Sequence, residues 1–209
     1  GRRLLNPFFS DPKRYVEEPR YTFVPEMLEL KAPCYVDGYW QSEKYFLDIK
    51  DILRKEFTLK EPLGDYSQGI AKKIATAEHS VSLHIRRGDF AHHPRFKVTH
   101  GARPLAYYEA AIQIIREKVP HPHYFVFSDD VEWARANIKT GFPTEFVGQG
   151  PAKNYEDLEL MRLCTHHILS NSTFGWWGAW LSEFDKKGLT IAPTHWAAKF
   201  ESTDLVPER

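Results

Sequence analysis

The sequence predicts a doubly wound α/β domain with a parallel sheet, on three observations. From Ser80 onward, short β-branched and apolar runs alternate with stretches of helical spacing, giving strands at 81–86, 123–128, 145–148, 167–171 and 189–192. Helices are expected between them at about 105–118, 131–139, 155–165 and 173–186. Strands separated by helices of this length form βαβ units, hence a parallel sheet with right-handed crossovers. The third observation is chemical. Every predicted strand ends in polar or glycine residues: Arg86-Arg87-Gly88-Asp89, Ser128-Asp129-Asp130, Gly148-Gln149-Gly150, Ser170-Asn171-Ser172-Thr173 and Pro193-Thr194-His195-Trp196. Open α/β sheets bind ligands beyond the carboxyl ends of their strands, so these ends mark a common candidate site.

Taken in order, residues 1–33 hold Pro7, Pro12, Pro19, Pro25 and Pro33. Prolines interrupt both helix and ladder, so the lead-in reads as irregular, with one extended piece at 26–30. A short strand and turn is expected at 34–38. The 42–57 stretch places Tyr45, Phe46, Ile49, Ile52, Leu53 and Phe57 on one helical face, with Ser42 as a cap. Glu61-Pro62-Leu63-Gly64-Asp65 breaks that pattern, and a more polar helix at 67–78 leads into the first strand of the alternating region.

Composition sets limits. The chain of 209 residues has 28 basic and 28 acidic side chains, so no global field favours nucleic acid or an anionic membrane, and any anion site is local. Aromatic residues make up 14%, enough for both a packed core and a ring-lined pocket. No apolar run approaches the roughly 20 residues of a membrane span. Cys34 and Cys164 stand far apart, giving neither a zinc pattern nor a disulfide framework, and a reducing compartment is expected.

The organising stretch is Ser82-Leu83-His84-Ile85-Arg86-Arg87-Gly88-Asp89. A guanidinium offers a planar fork of donors matched to phosphate oxygens, so two arginines at a strand end suggest a phosphate-bearing ligand. The alternative is a turn whose arginines are solvated or paired with Asp89. Strand alternation puts His84 on the side of Arg86, as core residue or ligand contact. Ser172 and Thr173 open a predicted helix whose free N–H groups suit an anion, and Ser/Thr is equally an ordinary cap. Phe174-Gly175-Trp176-Trp177-Gly178-Ala179-Trp180 follows, with two of its three indoles assigned to the core. Asn171-Ser172-Thr173 spells a glycosylation acceptor, taken as a coincidence at this edge. Asp129 and Asp130 fit a divalent cation beside a diphosphate, or Asp129 with Glu132 as a capping box for the next helix.

Together these pieces resemble a known family. His84-Ile85-Arg86-Arg87-Gly88-Asp89 matches the H-x-R-R-x-D motif of α-1,2- and α-1,6-fucosyltransferases. Gly38-Tyr39-Trp40-Gln41-Ser42-Glu43-Lys44-Tyr45-Phe46, Phe127-Ser128-Asp129-Asp130, Leu160-Met161 and Ser170 to Gly178 follow in the order of the inverting α-1,2-fucosyltransferases of glycosyltransferase family 11, bacterial in type. The resemblance implies a GT-B fold of two Rossmann-like domains and transfer of fucose from GDP-fucose to the 2-hydroxyl of a terminal galactose, with inversion and no required metal. It implies Arg86 and Arg87 at the diphosphate, with Arg87 catalytic, and Asp89, the carboxylate nearest in sequence to the arginines, is assigned as catalytic, either as base or as orienter of the arginines. Donor contacts would come from Arg86, Arg87, Asp129, Asn171, Ser172 and Thr173, and from His84 and Asp157 by looser analogy with the α-1,6 enzymes. Residues 76–209 would be the donor-binding domain, and 1–75 the remainder of an acceptor-side domain and linker. The family's glycine-rich G-G-x-G-N-Q loop has no counterpart here, so only part of that first domain is expected, and a non-catalytic GDP-sugar-binding module or inactive truncated homologue is the alternative. Expected partners are GDP-fucose and a galactose-terminated glycan. The expected location is the cytoplasm, with peripheral membrane association, or the Golgi lumen for a eukaryotic source.

Overall fold

The computed structural model describes residues 15–18, 22–148, 153–182, 188–197 and 204–206. The chain divides into a smaller unit, residues 1–50 with 200–209, and a larger one, residues 51–199.

In the smaller unit, strand β1 (Tyr15–Glu17) pairs in parallel with β2 (Tyr35–Asp37). Tyr15 stacks on Tyr35 and donates its hydroxyl to Asp37. The Glu18 carboxylate accepts the N–H groups of Tyr39 and Trp40. Two expectations fail here. The 26–30 stretch is a 3-10 helix, Pro25–Glu29, because Pro25 supplies the fixed φ that starts a helical turn. The 42–57 helix begins as two 3-10 turns, Glu43–Tyr45 and Leu47–Ile49, and becomes α only at α1 (Lys50–Glu56). Ser42 makes no side-chain cap, and Tyr45 is held by the Val24 N–H and by the rings of Phe23 and Trp40, so tertiary contacts override the local pattern.

The larger unit runs α2 (Asp65–Thr76), β3 (His79–Ile85), α3 (Gly88–His92), α4 (Pro94–Thr99), α5 (Leu105–Lys118), β4 (Pro122–Ser128), α6 (Val131–Asn137), β5 (Thr144–Val147), α7 (Asn154–Arg162), β6 (His166–Ile168), α8 (Thr173–Trp180) and β7 (Thr190–Ile191). Its five strands are all parallel, in the order β5-β4-β3-β6-β7. The alternating elements appear as the sequence predicts, except that β6 stops at Ile168 and the short α3 and α4 were unforeseen. Beyond Ile168, the Ser170 and Asn171 side chains bond to other segments instead of extending the ladder. The helix expected over 173–186 ends early, at Trp180 with Leu181 as its C-cap, and residues 183–187 and Gln149-Gly150 lie outside the described residues.

Both faces of the sheet are covered. Val81, Leu83 and Ile85 of β3 pack with Tyr124 and Val126 under Tyr108, Ile112 and Ile115 of α5 and Ala134 of α6. Phe125, Phe127 and Val147 pack on the opposite face against Ile70 and Ile74 of α2 and Leu160 and Met161 of α7. Side chains of this size contribute roughly 1.5–3 kcal/mol each on full burial. Between β3 and β6 the second face is polar instead. Ser80 meets Thr165 at 3.3 Å, Ser82 meets His167 at 2.8 Å and His84 meets Ser170 at 3.0 Å. This seam of three side-chain hydrogen bonds runs up the centre of the sheet.

Candidate functional site

The strand order has one reversal. The chain moves from β3 outward through β4 to β5, then returns to the other side of β3 with β6 and continues to β7. In open parallel sheets a reversal of this kind is the usual ligand position, at the carboxyl ends of the two strands that flank it. Arg86 and Arg87 leave β3 at this point, and Ser170 to Thr173 leave β6 there.

Both arginines are half-buried and oriented by carboxylates. Arg86 contacts Asp89 at 3.0 Å and Asp129 at 3.1 Å, with its guanidinium 5.6 Å from the Phe90 ring. Arg87 lies over Trp133 at 4.0 Å, and its Nε is 3.4 Å from Asp130. The backbone N–H of Arg87 donates to Asp129 at 2.8 Å. One carboxylate thus fixes both the main chain of the second arginine and the side chain of the first. The cap expected of Asp129 belongs to Asp130, which accepts the Trp133 N–H at 3.1 Å. Two glycines keep these contacts close. A Cβ on Gly88 would stand 2.7 Å from the Asp129 carboxylate, and one on Gly175 2.6 Å from Nδ1 of His84.

His84 is wholly enclosed. Burial, with the charge of Arg86, pushes its pKa down to about 3, so it is a neutral ring bonded to Ser170. Ser172 is the N-cap residue of α8 without a side-chain cap bond, and Thr173 is exposed at the first turn. Asn171 is 1% exposed, which withholds its amide from glycosylation in the folded chain. That amide nitrogen reaches the carbonyls of His100, Gly101 and Trp196 at 3.1, 3.2 and 3.1 Å.

Asp157 joins the same edge from α7. Ser182 donates to the Cys164 carbonyl at 3.1 Å, and a Cβ on Gly178 would stand 2.9 Å from that of Met161. Residue numbers rise together along α7 and α8, so the helices run in the same sense, and one turn before Met161 puts Asp157 level with Phe174. Burial, helped by neighbouring Glu156, pushes the Asp157 carboxyl up to about 6. The indoles divide as expected, with Trp176 and Trp180 buried and Trp177 stacked on Phe57.

Trp133, Phe90, His100 and Arg103 join the site without a motif that marks them. Trp133 was recoverable as the residue three after a capping Asp130, since that spacing brings it back over the strand end. The others sit in the unforeseen α3–α4 segment or just after it.

The sequence model described as glycosyl transferase family 11 matches residues 12–206. The chain is 37% identical over 178 residues to an alpha-1,2-colitosyltransferase of Escherichia coli, covering 82% of this chain and 60% of that protein. It is 33% identical over 193 residues to the O-antigen biosynthesis glycosyltransferase WbnK of Escherichia coli, covering 89% and 63%. Against the galactoside alpha-(1,2)-fucosyltransferase 1 of Homo sapiens it is 29% identical over 171 residues, covering 77% and 46%. The chain thus spans less than two thirds of these relatives' lengths. The crystal structure of POFUT1 in complex with GDP-fucose aligns with a TM-score of 0.39 and 12% identity over 86% of this chain and 74% of that one, a distance at which nothing is transferred. With a match over nearly its whole length, and its double-arginine strand end seated at the reversal of a parallel sheet, the chain belongs to glycosyl transferase family 11.

Proposed function

We propose that this chain carries the donor-binding part of an inverting α-1,2-fucosyltransferase, moving fucose from GDP-fucose to the 2-hydroxyl of a terminal galactose. One observation carries the proposal. Two carboxylate-oriented guanidiniums stand at the crevice of the strand-order reversal, where a nucleotide diphosphate would lie. Breaking the sugar–phosphate bond places negative charge on the departing GDP, and fixed cations there lower the barrier. Arg87, braced by Trp133 and Asp130, would stabilise that charge, and Arg86 would hold the diphosphate. Asp89 then orients Arg86, which its 3.0 Å contact favours over a role as base. Ser172 and Thr173 would line the donor site with the enclosed, neutral ring of His84 behind them, and Asp157 would meet the guanine edge, whose N–H donors suit a carboxylate. Positive charge from the arginines fits a reaction without a divalent cation.

Arg87→Ala is expected to lower turnover by about two to three orders of magnitude, roughly 3–4 kcal/mol, with the fold retained. GDP release from GDP-fucose, measured with and without a galactoside, tests this. Near-normal transfer by a folded variant would remove Arg87 from the mechanism. Acceptor-independent GDP binding without transfer would favour the non-catalytic alternative. The 37% identity to a colitosyltransferase supports a second donor, so the same assay is run with the nucleotide-linked colitose.

A further inference from the structure

Three strand ends meet on one side chain. The amide nitrogen of Asn171, just past β6, lies within hydrogen-bond distance of the His100 and Gly101 carbonyls, which close the α3–α4 segment after β3. It also reaches the Trp196 carbonyl beyond β7. Arg103 reinforces the junction, donating to His100 O at 2.9 Å and His195 O at 3.2 Å. From there a chain of ring contacts leads to the anion site. The His100 ring stacks on Phe90 with centroids 5.0 Å apart, and Phe90 faces the Arg86 guanidinium. Phe96 contacts both rings, and Thr99 bonds His100 Nδ1 at 2.9 Å.

We infer that Asn171 is a positioning residue: its amide latches residues 88–101 and 195–196 to the end of β6, and through His100 and Phe90 it sets Arg86 against the donor. The chemistry requires an N–H₂ group. Three carbonyl oxygens converge on one nitrogen, and only a donor satisfies them. The Asn171 carbonyl oxygen is buried and, among the described residues, has no hydrogen-bond partner, so the side chain acts through its donor half alone. A carboxylate of the same shape would set negative charge against three carbonyls, a repulsion that protonation relieves. The effect on transfer depends on the donor assignment above. The state of the loop does not.

Hydrogen exchange on the ligand-free chain therefore tests the latch directly. In Asn171→Asp, the amides of His93, Lys97, His100 and Gly101, which are hydrogen-bonded within the segment, should exchange about tenfold faster at neutral pH, with β4 and α5 unchanged. The excess should shrink as pH falls and the introduced carboxyl gains a proton. Arg103→Ala, a milder cut of the same junction, should loosen the same amides and serves if the first variant fails to fold. GDP titration of both variants should show weaker binding at unaltered melting of the sheet. Unchanged exchange over 88–101 in either folded variant overturns the latch. Loss of GDP binding without faster exchange overturns it too, and makes Asn171 a direct ligand contact. Faster exchange in the variants, alongside a wild-type chain that binds no GDP, would leave the latch standing and remove the donor assignment instead.

Discussion

Asp157 is a carboxyl held off its usual ionisation by burial, and the sign of its effect follows from linkage. Its folded pKa of about 6 lies above the ordinary 3.8, so between these values the folded chain binds more protons than the unfolded one. Stability from this group is full below about pH 4 and is lost as pH rises through 6. Asp157→Asn should raise stability at pH 7 by about 1–2 kcal/mol, and thermal melts at pH 4 and 7 check it. A ligand N–H would favour the ionised form, so the variant should at the same time weaken GDP binding. Gly88 makes a second residue-scale case. Gly88→Ala adds a methyl 2.7 Å from the Asp129 carboxylate, which can swing aside because it ends a side chain. Helix propensity favours alanine at that position, so melting should hold or rise while GDP affinity drops about tenfold. A joint fall in melting temperature and affinity would mean that the backbone, not the Arg86–Asp129 pair, had moved.

At the scale of elements, the polar seam between β3 and β6 gives the sheet a pH response of its own. Burial pushes both His84 and His167 down to about 3. Their unfolded values lie near 6.5, so the unfolded chain binds more protons across that interval and stability falls as pH drops through it. Each histidine removes about 1.4 kcal/mol per pH unit well inside the window. Asp157 pulls the other way between 6 and 4, but two groups outweigh one. Melting temperature should therefore decline from pH 6.5 to 4, and the slope should lessen in His167→Asn. A flat profile in the parent chain would mean the rings stay accessible. The elements themselves were legible where pattern and packing agree. The Leu105–Lys118 helix carries one periodicity and one buried face, and the central strands β3 and β4 read as near-continuous apolar runs because both faces are buried. The 42–57 stretch failed because its apolar residues are not all buried: Leu47, Ile49, Ile52 and Phe57 are exposed by 47%, 40%, 60% and 43%. α3 and α4 were missed although Gly88 and Pro94 sit at their first turns, because five or six residues are too few to show a period. Of the site, the residue types at the strand ends were readable. Their pairings were not, since Asp129 reaches across 42 residues to the Arg87 N–H and no local rule encodes that distance.

For the whole molecule, the larger unit supplies a closed set of strand ends, while the smaller unit holds a two-stranded parallel pair with Tyr35, Val36 and Tyr39 exposed. No helix among the described residues is long and apolar enough to cross a membrane. β3, β4 and β5 follow one another, with α3, α4 and α5 before β4 and α6 before β5. The seam joins residues 85 or 86 apart, about twice the separation of the β3–β4 partners, which adds only a small closure entropy. Its bonds are side chain to side chain, with fixed partners on each strand, so a slip of one residue would turn Ser82 and His84 into the apolar face and Leu83 into the polar one. Register errors are therefore penalised at the β3–β6 seam, where the two strand ends of the candidate site lie side by side.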